Sequence, residues 1–531
     1  MKTKFSLKIF AALAFFSLTA CDPSHLNPDN QGDFDSVLEI SHEMIVLGSQ
    51  LEDPYSVENM TKALHSLYPT KSQVVELEAT NHYVRLLPRS DEDFALLESL
   101  GVRMLDHPMD YQILQEGDYY HDPSIAEGDI TWQYAVVSPD FVAPDGIRCE
   151  LLHKCYLAEP ETTKAGMEWV DWAAVERESF RLTGNENMLE PDTKGKKKES
   201  YVPKGRISVL DKDYDTDPVG VSGVQVSCNV FVRFDSCYTD EEGYYQMRRS
   251  FSSKPRYRLI FNNVKGFSIG INGIFLKGSI STLGKHSPEG CNIKVTPASE
   301  SKLFKRCVIN NAAYDYYSSC SSYGIKISTP PSDLRIWALG IMDCSASLML
   351  HHGAILDLDV IKSVLGVYEP LIRFFLPDIL IGVNGAKTYA SIYHVTQHEL
   401  AHASHFMSVG KKYWTDYALY IAISYITSGG VTYGSGTEED AGLCEVGEMW
   451  AYYVENVLFK ERYPKFQGYF GGKYWFHPEI FTYLDKRGMN RFKIFQALDS
   501  GVKSKESLRL RLISLFPECR SMINEAFNNY R

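Results

Sequence analysis

Several features are scarce in this chain of 531 residues, and each scarcity excludes a class of function. Positive charge is short: 54 lysines and arginines stand against 67 aspartates and glutamates, a net charge of -13. A nucleic-acid partner needs a basic face, so none is expected. Beyond Phe16 no long uncharged apolar run occurs, so no later segment reads as a membrane span. The 11 cysteines include no Cys-x-x-Cys pair, which removes the usual structural zinc knot. The glycine-rich stretch from Gly429 to Gly436 lacks the lysine of a phosphate-binding loop, so no nucleotide is expected either.

What the chain does have is His398-Glu399-Leu400-Ala401-His402, inside a stretch of helical periodicity. From Ala390 to Phe406 no proline or glycine interrupts it. Histidines four residues apart lie one above the other on a single helix face, so both rings reach one tetrahedral metal ion. Glu399 falls beside them, where a carboxylate polarises a metal-bound water instead of ligating. The cofactor expected is Zn2+, with His398 and His402 as ligands and Glu399 as the catalytic base.

A catalytic zinc takes three protein ligands and keeps a position open for water. The metzincin pattern would put a glycine three residues after His402 and a histidine six after it; those positions hold His405 and Ser408. His405 lies further around and along the helix, away from the point where the other two rings converge, and reads as a polar contact. Downstream, the run from Cys444 to Glu455 reads as a helix with a polar edge and an aromatic face. Its segment Glu448-Met449-Trp450-Ala451 resembles the Glu-x-x-Ala-Asp motif of gluzincin metallopeptidases, which carry their third ligand as this glutamate. The resemblance implies Glu448 as the third zinc ligand, with Glu445, one turn earlier, as the alternative. Tyr452 stands where that family has an acidic residue, so the group that would orient a zinc histidine is missing from its usual place. Oxyanion donors come from Tyr433, Tyr452, Tyr453, Tyr474 or His477, and His394, one turn before His398, is a candidate neighbour of the site or a structural histidine.

At the N-terminus, Lys2, Lys4 and Lys8 precede an apolar run from Ile9 to Phe16, and then comes Leu18-Thr19-Ala20-Cys21. This resembles the lipobox of bacterial lipoproteins, which implies cleavage before Cys21 and lipidation of Cys21, a membrane anchor that does not cross the bilayer. The expected location is the bacterial cell envelope, outside the cytoplasm, with the outer membrane or cell surface favoured. Ten cysteines then remain, an even number in an oxidising compartment, so disulfides are expected. Cys149/Cys155 and Cys228/Cys237 are near enough in sequence to pair, Cys291, Cys307, Cys320 and Cys344 fall together, and Cys444 could meet Cys519, with buried free thiols as the alternative.

The pattern divides into a signal peptide (1–20), a lipidated cysteine and tether (21–36), an N-terminal α+β module (37–190), a linker (191–204), a β-sandwich (205–300) and a C-terminal domain (325–531). In the N-terminal module a helix from Ser56 to Leu67, a strand from His82 to Leu87, a helix from Ser90 to Leu100 and a strand from Val102 to Leu105 are expected. Such a module serves as an accessory domain, or as a prosegment released at the lysine-rich stretch Thr193 to Glu199. Short strands separated by glycine and aspartate turns follow, and the piece Thr239-Asp240-Glu241-Glu242-Gly243-Tyr244-Tyr245 resembles the carboxypeptidase-regulatory-like, transthyretin-like domains, which implies a fold without a chemistry. The C-terminal domain reads as strand (Leu334 to Leu339), helix (Val360 to Phe375), strand (Asp378 to Val383) and metal helix, an order that resembles a zincin domain, mainly α-helical beyond that point.

The fold class is therefore multidomain α+β. The function expected is a membrane-anchored, extracytoplasmic zinc metallopeptidase acting on a peptide or protein substrate. The alternative is a surface or periplasmic binding lipoprotein whose zinc site is not catalytic.

Overall fold

The computed structural model of the chain describes residues 44–70, 75–117, 119–126, 128–158, 167–189, 200–214, 217–270, 278–297, 301–322, 328–340, 345–354, 376–384, 386, 388–427 and 433–530. The expectations on the signal peptide, Cys21, the tether, the 193–199 stretch, Cys344 and the helix from Val360 to Phe375 lie outside the described residues. No helix among the described residues is long and apolar enough to cross a membrane.

The N-terminal module comprises β1 (Val46–Gln50), α1 (Val57–Leu67), β2 (Asn81–Leu87), α2 (Asp91–Ser99), β3 (Met104–Leu105), β4 (Tyr111–Gln115), β5 (Gln133–Val137), β6 (Arg148–Cys155) and α3 (Trp172–Leu182). Ser56 caps α1 by accepting from the Asn59 amide, and Ser90 caps α2 the same way from Asp93. The expected β-α-β unit is split: β5 lies between β2 and β3 and runs antiparallel to both, giving the order β3-β5-β2-β6. One face of this sheet buries Val84, Leu86, Ala135 and Ile147 against Leu97 of α2.

Next come β7 (Lys204–Val209), β8 (Val219–Gly220), β9 (Val224–Val230), β10 (Arg233–Tyr238), β11 (Tyr244–Gln246), β12 (Arg256–Asn263), β13 (Phe267–Gly270), β14 (Ile280–Lys285) and β15 (Ile293–Val295). The Thr239–Tyr245 turn is held by the Asp240 carboxylate, which accepts from the amides of Glu242 (3.0 Å) and Tyr244 (2.8 Å). Gly243 sits there at φ +80°, and a side chain on it would run into the Ile207 carbonyl oxygen at 2.1 Å. The C-terminal half adds α4 (Ser301–Ser322), β16 (Leu334–Leu339), β17 (Ala346–Ser347), β18 (Ile379–Gly382), α5 (Tyr389–Thr427), α6 (Ala441–Arg462), α7 (Glu479–Lys486), α8 (Arg491–Gln496), α9 (Lys505–Leu515) and α10 (Arg520–Asn529). The chain is thus mixed α+β.

A four-stranded sheet has the order β11-β7-β15, with β8 also on β7. The eight-stranded sheet runs β10-β9-β12-β13-β16-β18-β17, with β14 on β12, so it draws strands from both 205–300 and the C-terminal half. Beyond β13 the strands β16 and β18 are parallel, and β17 closes that edge antiparallel to β18. Under the sheet lies α4, in the stretch left between the two expected domains. It is buried on nearly every side, from Leu303 and Phe304 through Ala312 and Ala313 to Tyr316. Asn310 and Asn311 donate to the carbonyls of Ser222 (2.9 Å) and Gly220 (2.7 Å), which ties α4 to the strands above it.

On its other side α4 meets α5: Gln397 donates to the Ala312 carbonyl (2.9 Å), Tyr316 and Ser404 share a hydroxyl contact of 2.8 Å, and Tyr393 donates to Asp315 (3.1 Å). Gly410, at φ 79° and ψ 176°, breaks α5 into two arms. The N-terminal module is joined to this body by Arg335 of β16, which pairs with Asp91, and by Arg258 of β12, which donates to His107 (3.0 Å).

The expected disulfides are not formed: Cys149, Cys155, Cys228, Cys237, Cys291, Cys307, Cys320, Cys444 and Cys519 are all free. Geometry explains the difference. Cys149 and Cys155 lie six residues apart on one strand, a separation of about 20 Å. Cys307 and Cys320 are similarly spread along α4, at about 20 Å. In the β9–β10 ladder Cys228 faces Asp235 and Cys237 faces Val226, so the two thiols are diagonal, at roughly 7–8 Å, beyond bonding reach. Cys444 is buried inside α6, whereas Cys519 is half-buried in the turn before α10.

At the far end of α6, Arg462 reaches across to β7's neighbour Asp211 (2.9 Å) and to Asp315 of α4 (3.5 Å). Its guanidinium is surrounded by the rings of Tyr214, Tyr389, Tyr393 and Tyr463. Asp211 is fully buried, so removing its partner strands a charge. Arg462→Met is expected to destabilise the chain by about 3–5 kcal/mol, read from denaturant unfolding; a loss below ~1 kcal/mol, the range of a surface pair, would show that this contact does not hold the halves together.

Candidate metal centre

The first arm of α5 buries Tyr389, Ile392, Tyr393, Leu400, Ala401 and Ala403, and this leaves His398 and His402 facing α6. Helix α6 is buried for almost its whole length, and the Trp450 indole donates to the Ala401 carbonyl (3.1 Å), fixing the two helices side by side. That packing delivers Glu448 to the two histidines. His398 Nε2 and His402 Nε2 are 3.1 Å apart, and Glu448 stands 3.4 Å from the first and 3.5 Å from the second. His398, His402 and Glu448 offer ligand atoms that all lie within 4.8 Å of one another, and all three residues are buried.

A carboxylate further along α6 aims His398. Glu455 places one oxygen 3.0 Å from His398 Nδ1 and the other 2.7 Å from His394 Nδ1. Glu455 is thus the orienting acid that the sequence pattern lacked at Tyr452; it lies seven residues, two turns, after Glu448 and so on the same face. Tyr452 instead lays its ring edge-on against His398, centroids 4.5 Å apart. With the His398 proton on Nδ1 toward Glu455, Nε2 presents a lone pair to the place where His402 and Glu448 converge.

Electrostatics in this pocket follow from burial set against pairing. Burial alone would lower the His398 pKa, but the Glu448 and Glu455 carboxylates beside it outweigh burial and raise it well above the usual histidine range. Burial likewise opposes ionisation of Glu448 and Glu455, and the adjoining histidines overcome it and hold both below the ordinary carboxylate range. Glu399, Glu448 and Glu455 bring three buried carboxylates to the imidazoles of His394, His398 and His402, and one Glu448 oxygen makes no hydrogen bond. Two imidazoles and a carboxylate are a zinc donor set, and the Glu448 oxygen without a hydrogen bond is the atom a divalent cation would satisfy. The residues fit a zinc ion.

Glu399 lies beside the three ligands, its carboxylate 2.9 Å from the Ser347 hydroxyl of the edge strand β17. The same hydroxyl is 2.7 Å from the Glu399 main-chain oxygen, so its single proton is given to one or the other. These groups line a narrow cavity of about 30 Å³ together with Leu348, Tyr417, Ile421 and Tyr433. That is roughly the share of one water molecule, about 30 Å³. A larger cavity of about 710 Å³ lies between α2 and the central sheet and contains none of these residues.

Tyr417, on the second arm of α5, donates to Glu448 at 2.5 Å. Neither Tyr417 nor Ser347 had a sequence signal, because each reaches the site only through tertiary packing. Of the expected oxyanion donors, Tyr433 reaches the cavity. Tyr453 points to the opposite side of α6 against Phe481, and His477 lies against Tyr530. The alternative ligand Glu445 is engaged elsewhere: its carboxylate accepts from the Lys505 amide (3.0 Å) and pairs with the Lys505 ammonium (3.2 Å), fastening the start of α9. His405 is fully buried beside Tyr413 and Trp414, and burial, then the charge of His402, pushes its pKa down to about 3. It is a neutral core histidine.

No family model matches the chain, no curated protein matches its sequence, and no solved structure matches its fold.

Glu455→Gln is expected to weaken zinc binding about 10–100-fold while saturating zinc still fills the site, as measured by competition with a chelating dye. Glu445→Gln should leave the affinity unchanged. An affinity that falls for Glu445→Gln and holds for Glu455→Gln would reverse the two roles.

Proposed function

We propose that this chain is a zinc-dependent metallopeptidase, lipid-anchored through Cys21 on the extracytoplasmic side of a bacterial envelope membrane. The observation that carries this reading is the convergence of His398, His402 and Glu448 with a fourth buried side chain, Glu399, on the same cavity. A metal held only for structure has no use for a carboxylate poised beside it. That argues for catalysis over a purely binding lipoprotein.

His398, His402 and Glu448 would hold the ion, and zinc there would supply an acidified water and polarise a carbonyl. The remaining chemistry belongs to the chain. Glu399 accepts the proton of the attacking water and passes it to the leaving amine. Ser347, donating to Glu399, keeps that carboxylate turned toward the cavity. Tyr433 supplies a phenol at the wall for the oxyanion that develops as the carbonyl is attacked. Tyr417 holds Glu448 in place as a ligand.

The peptide substrate is supported by the edge strand as well as by the motif. Among the described residues β17 is the last strand of the sheet and carries Ser347 to the cavity, so an extended peptide laid along it would bring a carbonyl toward Glu399.

Glu399→Gln is expected to bind zinc as the wild type does and to lose peptide hydrolysis by a factor of about 10²–10⁴ or more. Zinc content and turnover of a mixed peptide library are the two measurements. Wild-type turnover by the variant would remove Glu399 as the base. A wild type that holds zinc at this site and cleaves no peptide would redirect the proposal to another hydrolysable bond.

A further inference from the structure

The N-terminal module carries a second group of metal-binding atoms, away from the HExxH helix. Asp53, His153 and Cys155 each offer one ligand atom, and these lie within 4.8 Å of one another. The backbone builds this arrangement. His153 and Cys155 are two residues apart on β6 and therefore point to the same side. The turn that leads into α1 is stitched to the end of that strand: Ser56 bridges to Cys155, and the Tyr156 amide donates to the Tyr55 carbonyl at 2.8 Å. Asp53 is thereby set against His153, with 2.7 Å between Oδ2 and Nε2, while its other oxygen accepts from the Tyr55 amide at 2.8 Å.

An aspartate–histidine pair would account for the 2.7 Å contact and would need no cysteine. Cys155 is nevertheless fully buried beside it and carries no disulfide; its sulfur lies 3.9 Å from the His153 carbonyl and is approached by the Tyr83 amide. Burial foremost, and then the charge of Asp53, hold the Cys155 thiol far above its ordinary pKa. Asp110, bound by Gln50 and Tyr83, adds negative charge nearby. Carboxylate, imidazole and sulfur around one point are the donors a thiophilic divalent ion selects. His153 is 26% exposed and provides a path of entry.

We propose that Asp53, His153 and Cys155 form a second metal site, for zinc or another thiophilic divalent cation, which staples the turn before α1 to β6. Binding releases the Cys155 thiol proton to solvent and frees the His153 Nε2 lone pair, whose proton moves to Nδ1 or is lost. The ion neutralises one carboxylate and one thiolate. The site is independent of the peptidase reading, since it shares no residue with the HExxH centre.

Cobalt distinguishes the two centres, because only the second contains sulfur. In the full chain titrated with Co2+, a thiolate-to-cobalt charge-transfer band in the near ultraviolet is expected. It should persist in His402→Ala and vanish in Cys155→Ser. If Cys155→Ser does not fold, the partly exposed His153→Gln replaces it, and half-saturation of the band should move to ~10-fold or more higher cobalt. A folded wild type with no band, a band that survives Cys155→Ser, or an unchanged half-saturation in His153→Gln would each overturn the proposal.

Discussion

Buried charge has to be matched, and in this molecule the matching happens between α5 and α6. Glu399, Glu448 and Glu455 are withdrawn from water next to His398 and His402, an arrangement that an apolar helix pair could not tolerate without partners. Every contact described around the centre serves that constraint. Glu455 takes His398 and His394, Tyr417 takes Glu448, and Ser347 takes Glu399. One Glu448 oxygen is left without a hydrogen bond.

The scaffold keeps those partners in register. Helix α4 is fixed to the sheet by its asparagines and to α5 by Gln397, Ser404 and Tyr393, so the metal helix cannot slide along the strands without breaking buried hydrogen bonds. Arg462 anchors the far end of α6 against Asp211. Rigid support on one side contrasts with the other wall, which comes from the second arm of α5 beyond the break at Gly410 and from Tyr433.

Much of the centre was legible in the sequence because it is encoded locally. Helical spacing alone places His398 and His402 together, and the Glu-x-x-Ala segment marks Glu448 on the next helix. The orienting acid was sought at Tyr452, four residues after Glu448, although Glu455 lies on the same face two turns along; the signal was present and at a different spacing. Ser347 and Tyr417 depend on tertiary contacts that no local pattern records. Helix α4 escaped the reading because polar residues, Arg306, Asn310 and Asn311 among them, are buried beside its apolar ones, so the sequence shows no amphipathic stripe. The even cysteine count suggested disulfides, but strand and helix geometry keeps these thiols apart. One further centre, at Asp53, His153 and Cys155, joins residues from opposite ends of the module and has only the His-x-Cys spacing on β6 as a local trace.

The central claim is that His398, His402 and Glu448 hold one metal ion, and zinc content per chain tests it most directly. Purified wild type and His402→Ala would be loaded with zinc, freed of excess and assayed by elemental analysis, with folding checked by circular dichroism. The account predicts that the folded variant carries one zinc fewer than the wild type. Equal zinc in the two proteins would contradict it.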